Sequence, residues 1–284
     1  MNRIAEPADA CGGRYTAAEP YEPVEIIDGA ADGGLLLLCD HATNLFPPGY
    51  GTLGVPESQL QRHIAYDIGV AGVTRGLAAR LGAPAVLTRF SRLFIDPNRG
   101  DDDPTLIMQL SDGAVVPGNH RIDAAERARR VALCYRPYHD AVAARIDAMI
   151  AAGRPPMLFA VHSFTPVWRG TPRVWHVGIL WDRDPRMAQP MMAALAREAG
   201  LVVGDNEPYV GALRGDTMHR HGTERGLAHA LIEIRQDLIG DEAGIGEWVD
   251  RLTPILEEMR ALPDINEVTH FGSRTDRNHG SQST

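Results

Sequence analysis

The chain has 284 residues, 44% of them hydrophobic, enough for one large domain or two small ones. A formal net charge of −9 excludes the overall basic face that a nucleic-acid partner requires, so an anionic ligand has to be met by local arginines. Three cysteines, Cys11, Cys39 and Cys134, lie far apart without CxxC spacing and suggest neither a disulfide framework nor a thiolate metal site.

Residues 1–20 are rich in Ala, Pro, Glu and Gly without apolar periodicity, and the last fourteen residues run polar; residues 1–20 and 265–284 read as flexible tails around a single domain over 21–264. The Met1 end has no charged segment leading into an apolar stretch, and Leu35–Cys39 is too short to cross a bilayer. The expectation is a soluble, cytoplasmic protein with no membrane or nucleic-acid partner.

Residues 34–41, GLLLLCDH, read as a buried parallel strand that ends in polar residues. A helix is predicted over 56–82, with Pro56 in its first turn and Gly82 at its stop. It would put His63 and Asp67 on one face as a local stabilising pair. Strands are predicted over 84–90 and 92–96, and an excursion loop over 97–121. Such a long loop could open or close a cleft.

Asp123 is suited to cap a helix running to about Gly153, which Pro137 should kink or split. Strands follow at 156–162, 174–180, 201–204 and 227–236, with helices at 185–200 and 244–262. This alternation predicts an α/β fold with a mostly parallel sheet, whose ligands gather outside the carboxyl ends of the strands.

Four patches carry chemistry at those ends: CDHATN (39–44), SRLFIDPNRG (91–100), AVHSF (160–164) and LIEIRQDL (231–238). His41 and His162 each follow or end an apolar strand and form a natural pair of metal ligands, because a catalytic zinc uses three protein ligands and leaves one position for water. The third ligand stays open. Asn44 is a weak candidate, and Asp40 or a more distant carboxylate could serve; Asp40 could equally orient a histidine.

Glu233 lies in an apolar strand, where an unpaired carboxylate is costly to bury. It either pairs with Arg235, two residues on, or acts as a general base in a cleft. Asn98 and Arg99 could fork onto a substrate carboxylate. Arg92 could polarise a carbonyl or pair with Asp101, Asp102 or Asp103. Tyr209 and His221 precede the Glu233 strand, where they could cover a substrate.

In order along the chain, DHATNLFP (40–47), RHIAYDIG (62–69), FSRLFIDPNR (90–99), SDGAVVPGN (111–119), YRPYHD (135–140), VHSF (161–164), NEPYVG (206–211) and IEIRQDLI (232–239) resemble the N-formylglutamate amidohydrolase family. The likeness runs from about Leu35 to Leu262. More widely it is similar to zinc carboxypeptidases, from whose pattern it departs at Asn44, where they have glutamate.

The resemblance implies a three-layer α/β/α sandwich of the phosphorylase/hydrolase-like, zinc carboxypeptidase-like kind. It implies one zinc ion on His41 and His162, a substrate carboxylate on Asn98 and Arg99, and Glu233 as general base. The implied reaction is removal of a small acyl group, formyl, from an N-acyl acidic amino acid such as N-formylglutamate. Two other readings stand beside it: a zinc peptidase or amidase acting on a larger carboxylate-bearing peptide, and a metal-poor carboxylate-binding protein on a degenerate hydrolase fold.

Overall fold

Four leucines and a cysteine without a polar break make an inner strand of the sheet, buried on both faces. The computed structural model describes residues 20–276. Strand β1 (Val24–Ile27) leads to that inner strand, β2 (Leu35–Cys39), then to the one-turn helix α1 (Glu57–Leu60), helix α2 (Val70–Leu81) and β3 (Ala85–Thr88). A short ribbon, β4 (Leu110–Ser111) with β5 (Ala114–Val115), precedes α3 (Ala124–Arg130), a π-helical turn over Val131–Tyr135, and α4 (Arg136–Ala151). Next come β6 (Met157–Phe164), a second ribbon of β7 (Val167–Trp168) with β8 (Thr171–Pro172), and β9 (Val177–Leu180). Helix α5 (Pro185–Leu195), β10 (Val203–Asp205), β11 (His229–Arg235) and α6 (Glu242–Arg260) complete the order.

Seven strands form one sheet in the order β1-β3-β2-β6-β11-β9-β10. The central β3, β2, β6 and β11 run parallel, β1 is antiparallel at one edge, and β9 with β10 opposes β11 at the other. Alternation along the strands sends Leu35, Leu37, Phe159 and Val161 to a core shared with α2, α5 and α6. Leu36, Leu38, Leu158 and Ala160 face the opposite core, with Tyr138, Val142 and Ile146 of α4. The mostly parallel α/β sandwich expected from the sequence is thus the observed one.

Several elements differ from expectation. The helix predicted over 56–82 breaks after Leu60 and resumes at Val70, so residues 61–69 pass as turns. Gly69 lets it resume: its φ is +84°, and a Cβ there would lie 2.1 Å from the carbonyl oxygen of Ile239.

The strand predicted over 92–96 is a turn instead. Ser91 Oγ donates to the Ala65 carbonyl and accepts from the amide of Leu93, which curls the chain before it can pair.

Asp123 caps α3 by accepting from the Glu126 amide at 2.7 Å. Pro137 does not cut the run in two: the chain stays helical from Ala124 to Ala151, and the backbone widens into the π turn just before the proline, which donates no hydrogen bond and whose ring crowds the preceding turn.

The 97–121 excursion contains the β4–β5 ribbon and is pinned rather than loose. Buried Arg130 donates to Asn119 Oδ1 and to the carbonyls of Phe94 and Gly118, and Asn119 donates to Leu93 and Met108.

Part of the expected C-terminal tail also packs on the domain. Ile265 is buried, and Asn266 donates to the carbonyls of Gly34 and Pro155. Residues 1–19 and 277–284, which carry the rest of the two predicted tails and Cys11, lie outside the described residues.

Candidate active site

Three carboxylates and two imidazoles interlock at the carboxyl ends of β2 and β6. His41, just past β2, has Nδ1 3.3 Å from Asp67 Oδ2 and Nε2 2.8 Å from Asp96 Oδ1. His162, in β6, repeats the pattern with Nδ1 3.0 Å from the same Asp67 oxygen and Nε2 2.9 Å from Asp40 Oδ2. All five side chains are buried.

Asp67 reaches this point because its segment is not helical: its amide donates to the His41 carbonyl at 3.0 Å, which ties the turn to the end of β2. Asp40 is steadied in turn by the hydroxyls of Tyr138 and Thr217, each donating at 2.7 Å. Arg92 grips Asp96 Oδ2 from Nη2 at 2.7 Å and approaches Asp67 Oδ1 at 3.5 Å.

Burial alone would raise the carboxyl pKa of Asp40, yet hydrogen bonding and charge from His162 hold it at about 2. Burial would likewise keep His162 neutral, and its hydrogen bonds to Asp40 and Asp67 overcome that and raise it to about 10. Asp67 and Asp96, both deeply buried, are held below the ordinary carboxylate range, Asp67 by the two imidazoles and Asp96 by Arg92 and His41.

Glu233 is the exception. In β11 it stands opposite His162 in parallel register, and its buried Oε2 has no hydrogen-bond partner among the described residues. Burial pushes its carboxyl up to about 8 against the opposing charge of His162. The alternative pairing with Arg235 does not form, because Arg235 turns to Asp237 at 2.8 Å.

These groups share a cavity of about 270 Å³ that is lined by His41, Asp67, His162 and Glu233 together with Arg92, Asn98, Arg99 and Tyr209. Of the sequence-derived candidates, His41, Arg92, Asn98, Arg99, His162, Tyr209 and Glu233 therefore border one space, whereas Asn44, Asp40 and His221 do not. Asn44 donates its amide nitrogen to the Leu60 carbonyl at 3.0 Å, and the carboxylate that stands with the two histidines is Asp67. The ligand atoms of His41, Asp67 and His162 all lie within 4.8 Å of one another and could hold a metal ion.

The donor set suits one. Two imidazole nitrogens and a carboxylate oxygen converge, and each remaining Nε2 is backed by a carboxylate, an arrangement that fixes ring orientation in metal sites. A tetrahedral centre with bonds of 2.0–2.1 Å has edges of about 3.3 Å. The two Asp67 contacts, at 3.3 and 3.0 Å, are close to that.

Asn98 is held by its surroundings, with its backbone N–H donating to Asp96 Oδ1 and its side-chain Oδ1 accepting from the Thr217 backbone N–H. Arg99 bonds Thr105 and the Asn98 carbonyl and forms no ion pair with a described carboxylate. Arg92 pairs with Asp96 and Asp67 rather than with the 101–103 acidic run. His221 lies behind the cavity, its Nε2 3.0 Å from His139 Nδ1.

The profile of the N-formylglutamate amidohydrolase family matches residues 33–240. The chain belongs to that family. It is accordingly a hydrolase acting on an amide. Among solved structures, the Atu2144 gene product of Agrobacterium tumefaciens is 38% identical with a TM-score of 0.80, over 84% of this chain and 95% of that one. The N-formylglutamate amidohydrolase of Ralstonia eutropha JMP134 shares the fold at 21% identity and a TM-score of 0.64, over 84% of this chain and 97% of that one. No curated protein matches the chain. Among the described residues, no helix of this family member is long and apolar enough to cross a membrane.

Sequence reasoning missed Asp67 as a partner of the histidines, and it missed Asp96. The RHIAYDIG segment carried a usable signal: Gly69 follows Asp67 by two residues and marks a break in the helical pattern.

Proposed function

We propose that this family member is a zinc-dependent amidohydrolase that removes a formyl group from an N-formylated acidic amino acid such as N-formylglutamate. The observation that carries the reading is the unpartnered Glu233 carboxylate, sharing one cavity with the carboxylate-backed histidines His41 and His162. His41, Asp67 and His162 would hold one divalent ion, which when bound polarises a carbonyl and lowers the pKa of a water molecule.

Glu233 accepts a proton from the attacking water as its oxygen adds to the formyl carbon. Arg92, at the cavity wall, donates to the oxygen on which negative charge develops. The carbon–nitrogen bond then breaks, Glu233 hands the proton to the leaving amine, and formate and a free amino acid result. Asn98 and Arg99 take the substrate's α-carboxylate, which fixes the amide against Glu233.

The reading as a degenerate carboxylate-binding protein arose from the missing third ligand at position 44. Asp67, standing with the two histidines, offers a carboxylate that could take that role.

With N-formyl-L-glutamate, Glu233→Gln is expected to lower kcat by roughly 10²- to 10⁴-fold while zinc per chain, measured by elemental analysis, stays unchanged. Full activity in that variant would refute the assignment.

A further inference from the structure

The arginines around the cavity are committed to very different degrees. Arg92 pairs with Asp96 and Asp67, whereas Arg99 and Arg173 pair with no carboxylate among the described residues. Arg99 arrives from the loop that follows β3, and Arg173 from the ribbon between β6 and β9, on the other side of β2 and β6 in the strand order.

Arg173 is held with care. Its guanidinium carbon lies over three aromatic rings, 5.4 Å from Phe164, 5.4 Å from Trp168 and 4.9 Å from Tyr209. Nη1 donates to Tyr209 Oη at 3.0 Å and to the Thr165 carbonyl at 3.4 Å. Nε and Nη2 make no hydrogen bond to the described residues.

Phe164, Thr165 and Tyr209 all line the cavity, and the buried hydroxyl of Thr165 has no partner among the described residues. A planar cation is thus fixed by stacking, with one edge unspent, directly behind polar groups that face the substrate space. In a chain of net charge −9, that is a strong local preference for an anion.

We infer that Arg173, with Tyr209 and Thr165, forms a second anion subsite at the cavity, which binds the side-chain carboxylate of the substrate and selects dianionic over monoanionic N-acyl amino acids. The inference rests on the amidohydrolase reading above and deepens it. Arg99 and Asn98 hold one carboxylate and Arg173 reads the other, so the scissile amide is fixed at two points. Tyr209 accepts from Arg173 and keeps its own proton to donate to the same carboxylate.

The test compares wild type, Arg173→Gln and Arg173→Lys on N-formyl-L-glutamate and its neutral-side-chain counterpart N-formyl-L-glutamine. In parallel, glutarate and its monoamide, glutaramate, are titrated calorimetrically into each zinc-loaded protein. Arg173→Gln is expected to lower kcat/KM for N-formylglutamate by about 10- to 100-fold and to leave N-formylglutamine within about threefold. Arg173→Lys should recover part of the preference, because charge is kept and planarity lost.

An equal loss on both substrates, with the preference for glutarate over glutaramate unchanged, would make Arg173 a structural staple and overturn the inference. If wild type turned over neither formyl substrate, the proposed reaction would fail by itself. The Arg173 dependence of glutarate binding would still decide whether the subsite exists.

Discussion

Across one rung of the sheet, β6 contributes His162 and β11 contributes Glu233, and both side chains are buried. Both nitrogens of His162 meet carboxylates, whereas Glu233 has an oxygen with no partner among the described residues. The two positions share backbone geometry and depth, so the difference lies in what surrounds them. Asp40, Asp67, Tyr138 and Thr217 fix the ring of His162, as the metal-ligand role proposed for it would require. Glu233 is left to its desolvation, as the proton-accepting role proposed for it would require.

The largest expected break in that contrast comes from Asp67, the one carboxylate that both imidazoles share. Asp67→Ala should take zinc per chain from near one to near zero and abolish turnover, while Asn44→Ala keeps both. The opposite result in elemental analysis would return the ligand to position 44. A smaller effect is expected behind His41: Asp96→Asn should weaken zinc affinity by about 10- to 100-fold, read by competition with a chelator. Unchanged affinity would mean that Asp96 does not orient the ring.

Further from the proposed metal ligands, Arg99→Ala should raise KM for N-formyl-L-glutamate about tenfold with little change in kcat. An unchanged KM would dissolve the α-carboxylate clamp.

The smallest effect concerns stability. His162 titrates at about 10 in the folded chain without metal and near 6.5 when unfolded. The folded state therefore binds more protons between those values. That contribution is complete below pH 6.5 and is lost as pH rises through 10. Glu233, raised to about 8, adds a loss of the same sign from about pH 4.5 upward. The urea midpoint of chelator-treated protein should fall from pH 6.5 to 10, and a flat midpoint would show that the imidazolium is not held.

His41, His162 and Glu233 were legible in the sequence because each stands on or beside an uninterrupted apolar strand, where a polar residue needs a reason. The central parallel sheet was legible for the same cause. Asp67 was not, because Ile64, Ile68 and Val70 continue a plausible helical pattern through residues that turn. That turn depends on the His41 carbonyl and on Gly69 meeting Ile239, contacts from distant parts of the chain.

Asp96 was hidden within a stretch predicted as strand, since Leu93, Phe94 and Ile95 are apolar and only the Ser91 hydroxyl bends them. Arg173 gave no signal, because an arginine in a Pro- and Gly-rich segment is unremarkable until three aromatic rings from separate segments close on it.

The π turn over Val131–Tyr135 carries a consequence for insertions and deletions. A helix advances about 100° per residue, and a π turn holds one residue more than the α-helix it interrupts. That surplus sets the angular phase between Arg130, which secures the 97–121 excursion, and Tyr138, which secures Asp40. Deleting a single residue from 131–135 would rotate one anchor away from its partner whichever stayed in place. Substitutions preserve the count, so positions 131–133, which are half-buried or exposed, should accept changes of residue type far more readily than the segment accepts changes of length.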